Sequence, residues 1–282
     1  MHWRDRNAAR NRLRGAAGFD AYYRQCYGER WDALRRALLA PSAPVSYDAG
    51  GAQPYVLDVA SIRAAATLPL AGAGRLLDLC AAPGGKTIVL ASRMDADATL
   101  VANDRSPSRV KRLACSCASC LPPAVSARVS VRCSDGARWG RMAAEQYDRI
   151  LLDAPCSSER HVLSDARHLA QWSPARVKAV TTMQWALLSA AFRLLAPNGF
   201  LLYATCAVLP QENDDMIARL LTRFPDACCV EPPEPSVPVS ACIPMLPAAA
   251  HTAHGRIIMP DEQSAGPLYY SLIAKRAVGL HP

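Results

Sequence analysis

Two short segments carry reactive side chains: Asp153-Ala154-Pro155-Cys156-Ser157-Ser158 and Tyr203-Ala204-Thr205-Cys206. Each follows an apolar run the length of a buried strand, residues 149–153 and 200–204. A thiolate presented at a strand end is a nucleophile for an electron-poor carbon. A second thiol and a carboxyl beside it could handle the protons that such an addition moves. Pro155 cannot continue a sheet ladder, so it lifts Cys156 into whatever crevice lies beyond the strand. Either cysteine alone reads better as a small buried hydrophobe; the pair, with Asp153 at an adjacent strand end, is less easily dismissed. Ser157 and Ser158 carry no expected consequence for catalysis.

A third segment, Leu77-Asp78-Leu79-Cys80-Ala81-Ala82-Pro83-Gly84-Gly85-Lys86-Thr87, runs from a strand through a glycine turn into a helix. Gly84 and Gly85 are expected to let the backbone approach a ligand where a Cβ would intrude. The spacing is neither that of a phosphate loop nor that of a dinucleotide turn, and an ordinary strand-to-helix turn is the plain alternative. The next apolar run ends at Asp104, placed to accept hydrogen bonds from a ribose diol. The one after it precedes Asp135-Gly136, where a second acid could meet an adenine amino group. With Asp153, these positions describe a pocket for an adenosine-containing ligand. S-adenosylmethionine fits it better than a nicotinamide, because Asp78 and Asp153 could offset its positive sulfonium and amino groups.

These segments meet only if the apolar runs lie side by side. The runs are residues 75–80, 99–103, 129–133, 149–153, 200–204 and 268–274. Helical stretches separate most of them, residues 172–195 most clearly, stopped by Pro197 and Gly199. This alternation predicts an α/β fold, a mainly parallel sheet with helices on both faces and its chemistry at the carboxyl ends of the strands. Residues 59–282 are expected to form this catalytic domain. Residues 1–58 are expected to be a basic N-terminal arm and helical cap. Helical spacing extends from Phe19 to Leu39, and a linker follows, broken by Pro41, Pro44, Gly50, Gly51 and Pro54.

Composition sets the boundaries. In 282 residues, 51% are apolar and 20% charged, which suffices for a large core and argues against global disorder. No stretch is apolar for long enough to span a bilayer, so no membrane partner is expected, and the start lacks a secretory apolar segment. A formal net charge of +8 favours a polyanionic partner. Arg4, Arg6, Arg10, Arg12 and Arg14 stand against Asp5 alone in the arm. That arm could contact RNA phosphates, be the remnant of an Arg-rich mitochondrial targeting segment, or be a solvated end. The cysteines number 11, an odd count that suits a reducing compartment and free thiols. Cys115, Cys117 and Cys120 lack a matching ligand pair and read as a turn of helix and its exit, so no metal is expected.

LDLCAAPGGKT, DAPCSS and YATC with a downstream Gln211-Glu212-Asn213 occur together and in order. On them the chain resembles the Sun (Fmu, NSUN) family of RNA cytosine-5 methyltransferases, from about Phe19 to the final strand. The segments YVLDVASI, ANDRSPSRVKRL, SDGARWG, CSSERHVL and GRIIMPDEQSAGPLYYSLI look most like the mitochondrial ribosomal-RNA branch. The resemblance implies a Rossmann-like class I methyltransferase fold and S-adenosyl-L-methionine as cofactor. It places cofactor contacts at Gly84, Gly85, Lys86, Asp104, Arg109, Asp135, Gly136 and Asp153. It makes Cys206 the nucleophile and gives product release to Cys156, with Asp153 and Lys86 beside them. The implied substrate is RNA, small-subunit ribosomal RNA in that branch, and the implied location mitochondrial, with a cytoplasmic or nuclear one as the alternative. A helical-repeat partner of the mitochondrial transcription-termination-factor type, or a ribosome-assembly intermediate, would help a chain without a visible RNA-binding appendage. A catalytically silent or dual-role ribosome-assembly factor with the same fold is the rival reading.

Overall fold

A computed structural model describes residues 13–140, 146–235 and 245–277. Arg4, Arg6, Arg10 and Arg12 of the basic arm lie outside the described residues. The central sheet contains β3 (Arg75–Asp78), β4 (Thr99–Asp104), β5 (Val129–Cys133), β6 (Tyr147–Asp153), β7 (Leu195–Thr205) and β11 (Leu268–Lys275). These are the six apolar runs. Their order is β5-β4-β3-β6-β7-β11, parallel from β5 to β7, with β11 antiparallel to β7. Three short strands, β8 (Ala227–Val230), β9 (Ala250–His251) and β10 (Arg256–Ile258), extend the β11 side.

The sheet is buried on both faces, and its side chains alternate accordingly. Leu76, Leu151, Leu202 and Tyr270 point to one face, under the helices Val59–Ala66, Gly85–Ala91 and Pro107–Cys120. Leu77, Ile150, Leu152, Leu201 and Tyr203 point to the other, under Pro174–Leu194 and Asp214–Arg223. The chain runs outward from β3 through β4 to β5, then returns to place β6 on the opposite side of β3. The crevice at this reversal is where such sheets bind ligands. Asp78 and Asp153 close the two strands that flank it.

Two N-terminal expectations need correction. The helical spacing of residues 19–39 is not one helix: Gly15–Tyr27 and Arg30–Leu39 are separated at Gly28, whose φ of 57° ends the first of them. The expected linker contains a hairpin, β1 (Val45–Tyr47) paired with β2 (Tyr55–Leu57), whose Tyr47 and Leu57 join the core over the first face. The two N-terminal helices pack Phe19, Tyr23, Trp31, Leu34 and Leu38 against Val162, Trp172, Val177, Val208 and Leu209. Their buried face therefore rests on the segments that follow Cys156 and Cys206. Cys115, Cys117 and Cys120 lie in the last turns of Pro107–Cys120.

Candidate active site

Cys156 follows β6 and Cys206 follows β7, and the parallel pairing of these strands sets the two ends side by side. The ladder continues one step beyond β6, with Ala154 N–H donating to the Ala204 carbonyl at 2.8 Å. Past Pro155 the two thiols face each other, Sγ to Sγ 2.9 Å, and both are free cysteines. The Ser158 hydroxyl lies 3.4 Å from each sulfur. Ser158 holds φ at 51°, unusual for a residue other than glycine. The expectation that this serine is without consequence is therefore revised: it is a third polar group at the thiol pair.

The two sulfurs are electrostatically unequal. The S–H of Cys156, together with the Ser158 hydroxyl, donates to Cys206 and holds the Cys206 thiol below its ordinary range, against the opposing effect of burial. Cys156 is raised well above that range, first by the same hydrogen bond and then by burial. Cys206 is thus the sulfur that ionises first, as a nucleophile must. Its alkylation by iodoacetamide should accordingly rise with pH at a lower midpoint than that of an ordinary thiol. Cys156→Ala removes the principal donor and should move the midpoint upward. An unmoved midpoint would remove Cys156 as the activating group.

Lys86, at the start of Gly85–Ala91, reaches across the crevice to Asp153, Nζ to Oδ2 2.7 Å. Burial pulls the ammonium's pKa down, but the Asp153 charge, their hydrogen bond and nearby Cys206 outweigh it and keep the lysine above its ordinary value. Lys86, Asp153, Ser158 and Cys206 line one cavity of about 570 Å³ with Arg160 and His161. A second, of about 220 Å³, shares Lys86 and Asp153 and adds Asp78, Ala82, Gly85 and Tyr55. The Lys86–Asp153 pair is the wall between them.

The second cavity continues toward a pocket lined by Asp104, Arg109, Asp135 and Gly136, with Cys80 common to both. Asp104 is buried; its Oδ1 accepts from Ser106 N–H at 3.0 Å and its Oδ2 lies 3.2 Å from Arg109. Asp135 caps the turn Gly136–Trp139 by accepting from Ala137 N–H. Asn103 ties the loops after β3 and β5 together, donating to the Leu79 and Ser134 carbonyls.

Gly85 lines the second cavity and Gly136 the pocket beyond it, and the glycines are also constrained by the protein's own packing. Gly84 adopts φ 118°, which L side chains rarely enter. A Cβ on Gly85 would come within 3.0 Å of Tyr55 Cε1 and 3.3 Å of Leu57 Cδ1, and one on Gly136 within 2.8 Å of Leu79. The space is needed first by the protein's own side chains.

S-adenosylmethionine fits this crevice on an independent observation. Asp78 is fully buried at its mid-section; Oδ2 accepts from the Thr87 hydroxyl at 2.7 Å, while Oδ1 has no partner among the described residues. Burial pushes this carboxyl up to about 7. A cationic ligand supplies what that unpartnered oxygen lacks. Asp104→Ala should weaken cofactor binding by roughly 1.5–3 kcal/mol, through loss of charge-assisted bonds to a ribose. Calorimetry showing unchanged affinity would place the ribose elsewhere.

A parallel sheet reversing beside its first strand, with acids at successive strand ends, is the Rossmann-like frame of class I methyltransferases. Solved structures agree on the fold. A methyltransferase homolog protein from Pyrococcus horikoshii superposes with a TM-score of 0.71 at 21% identity, covering 94% of this chain and 96% of that one. NSun6 from Pyrococcus horikoshii gives 0.63 at 20% identity, over 80% of this chain and 54% of that one. The family model of 16S rRNA methyltransferase RsmB/F matches residues 65–273, and the chain belongs to this family. The ribosomal RNA small subunit methyltransferase F of Serratia proteamaculans is 38% identical over 177 residues, 63% of this chain and 35% of that enzyme. The chain spans about a third of the length of the curated relatives it matches. Membership in a methyltransferase family brings S-adenosylmethionine as methyl donor, in keeping with the fit at Asp78.

Proposed function

We propose that the protein methylates carbon 5 of a cytosine in small-subunit ribosomal RNA through a covalent bond to Cys206. The supporting observation is the facing pair Cys206 and Cys156, of which Cys206 lines the same cavity as Lys86 and Asp153, next to the cofactor crevice. Carbon 5 of cytosine is a poor nucleophile. Attack of the Cys206 thiolate on carbon 6 forms a carbon–sulfur bond and shifts the ring electrons toward nitrogen 3. The Lys86–Asp153 pair holds a proton where that nitrogen gains charge. Bound S-adenosylmethionine supplies an electrophilic methyl group, which the enamine carbon 5 takes. The proton on carbon 5 then leaves to solvent, the carbon–sulfur bond breaks, and the double bond returns. The Cys156 S–H receives the departing Cys206 thiolate through the hydrogen bond it already makes.

The Serratia proteamaculans relative carries ribosomal RNA small subunit methyltransferase in its name, and the family model names 16S rRNA, which supports the choice of RNA. Bisulfite sequencing of ribosomal RNA from cells with and without the protein tests the proposal: one cytosine should lose its protection when the protein is absent. Ribosome-assembly defects with unchanged methylation would favour the silent assembly-factor reading instead. A mitochondrial location, with a helical-repeat partner of the termination-factor type, rests on segment likeness alone, and the curated relative named above, from Serratia proteamaculans, is bacterial. Organelle fractionation that leaves the protein in the cytosol would dismiss it.

A further inference from the structure

Two buried carboxylates lie behind the cysteines and take no part in the chemistry just described. Glu159 and Glu212 are both 0% exposed, and among the described residues neither makes an ion pair. An apolar side chain in either place would avoid the desolvation cost of a carboxylate, so what these groups hold is informative. Glu159 Oε1 accepts from the Ser157 hydroxyl and from the Tyr23 hydroxyl, both at 2.7 Å. Its Oε2 accepts from Val208 N–H at 3.3 Å. Glu212 Oε2 accepts from Ser157 N–H and from Gln184 Nε2, each at 2.9 Å, and the same Gln184 amide donates to the Pro155 carbonyl.

Ser157 is the residue after Cys156, and Val208 lies just beyond Cys206. The backbone ladder between the two segments has already ended at Ala154. Past that point the Glu159 carboxylate is a direct bridge from one cysteine segment to the other. Glu212 fixes the backbone on the Cys156 side. Tyr23 comes from the helix Gly15–Tyr27, so the N-terminal cap reaches the bridge through one hydroxyl.

We infer that Glu159 is a positioning residue that sets the separation of the two thiols, and that Tyr23 of the N-terminal cap holds it in place. Its catalytic meaning rests on the proposed roles of Cys206 and Cys156; its geometry does not. A nucleophile and its partner lose most of their advantage when displaced by about 1 Å, a change worth on the order of 10²-fold in rate.

The geometry can be measured without RNA. Diamide takes two electrons and two protons from a dithiol and leaves a disulfide, and the Cys156–Cys206 linked peptide is counted by mass spectrometry, with Cys156→Ala as blank. Glu159→Ala should slow this joining, and lower kcat, by about ten-fold or more, with the KM for S-adenosylmethionine unchanged. Glu159→Gln should restore both to within about three-fold of wild type, because its carbonyl still accepts from Val208 N–H while its amide donates to the two hydroxyls. Tyr23→Phe, a milder change should Glu159→Ala fail to fold, should slow joining several-fold. Joining at the wild-type rate in folded Glu159→Ala or in Tyr23→Phe would overturn the assignment. So would equal loss in the Gln and Ala variants, which would make charge rather than bridging the cause. If the wild type methylates no RNA while joining still depends on Glu159, the methyltransferase reading fails and the positioning role stands.

Discussion

A Cys156→Ala variant given its substrate RNA and S-adenosylmethionine should appear on a denaturing gel as a slow protein–RNA band. The band should vanish when Cys206 is also replaced. Loss of Cys156 raises the Cys206 pKa, but the Ser158 hydroxyl 3.4 Å away still donates to that sulfur, so Cys206 retains a slower route to attack. What the variant lacks is the thiol whose sulfur lies 2.9 Å from Cys206, proposed above to receive the departing thiolate. Attack and methyl uptake then proceed while release stalls. Cys206→Ala alone should give neither band nor methylation, a loss on the order of 10⁴-fold or more for removal of a covalent nucleophile. The target base must leave its stack to reach either sulfur, so a single-stranded or distorted site is the suitable probe. A band that appears in Cys206→Ala and requires Cys156 would reverse the two roles.

Asp153→Asn should lower the single-turnover methylation rate by roughly 10²–10⁴-fold, the range expected when a group that handles a proton in the transition state is lost. Asn preserves shape but leaves the Lys86 ammonium, only 12% exposed, without its counter-charge. Breaking a buried pair costs about 3–5 kcal/mol; Asp153 is 32% exposed, so solvent screening should keep the stability loss toward or below the lower end. The measurement is rapid quench with methyl-labelled cofactor at saturation, beside a melting curve. A rate within a few-fold of wild type would remove the pair from the reaction and leave it a structural wall between two cavities.

The six long strands and the order of the acids were legible because both depend on patterns that burial enforces. Strands covered on both faces must be nearly continuous apolar runs, and the residues that end them face the crevice. The short strands β1, β2, β8, β9 and β10 carry no such signal: two to four residues among prolines and glycines leave no alternation to read. Gly28 was passed over because the apolar spacing resumes on the same face at Trp31 and Leu34, although a glycine between two such stretches is a common helix end. Glu159 is not marked by the sequence, and Glu212 stands in the Gln211-Glu212-Asn213 motif without an assigned role, because carboxylates belong to the surface by type. A signal existed in retrospect: each lies close in sequence to one of the reactive cysteines, at the start of an amphipathic stretch. Ser158 shows the opposite case, since no spacing rule marks a hydroxyl that acts by sitting between two sulfurs.

The hairpin β1–β2 bears on how long the cofactor stays. Tyr55 and Leu57 occupy the room that Gly85 leaves, and with Val56 they line the cavity that holds Asp78. Val56 itself is 62% exposed, so the hairpin is thin there, with solvent on its outer side. A ligand seated in that cavity would be covered on this side by a two-stranded ribbon resting on one glycine rather than by the rigid sheet. Residence time and affinity would then be separable properties: the acids on strand ends would set the depth of the well, and the fit of Tyr55 against Gly85 the height of its rim.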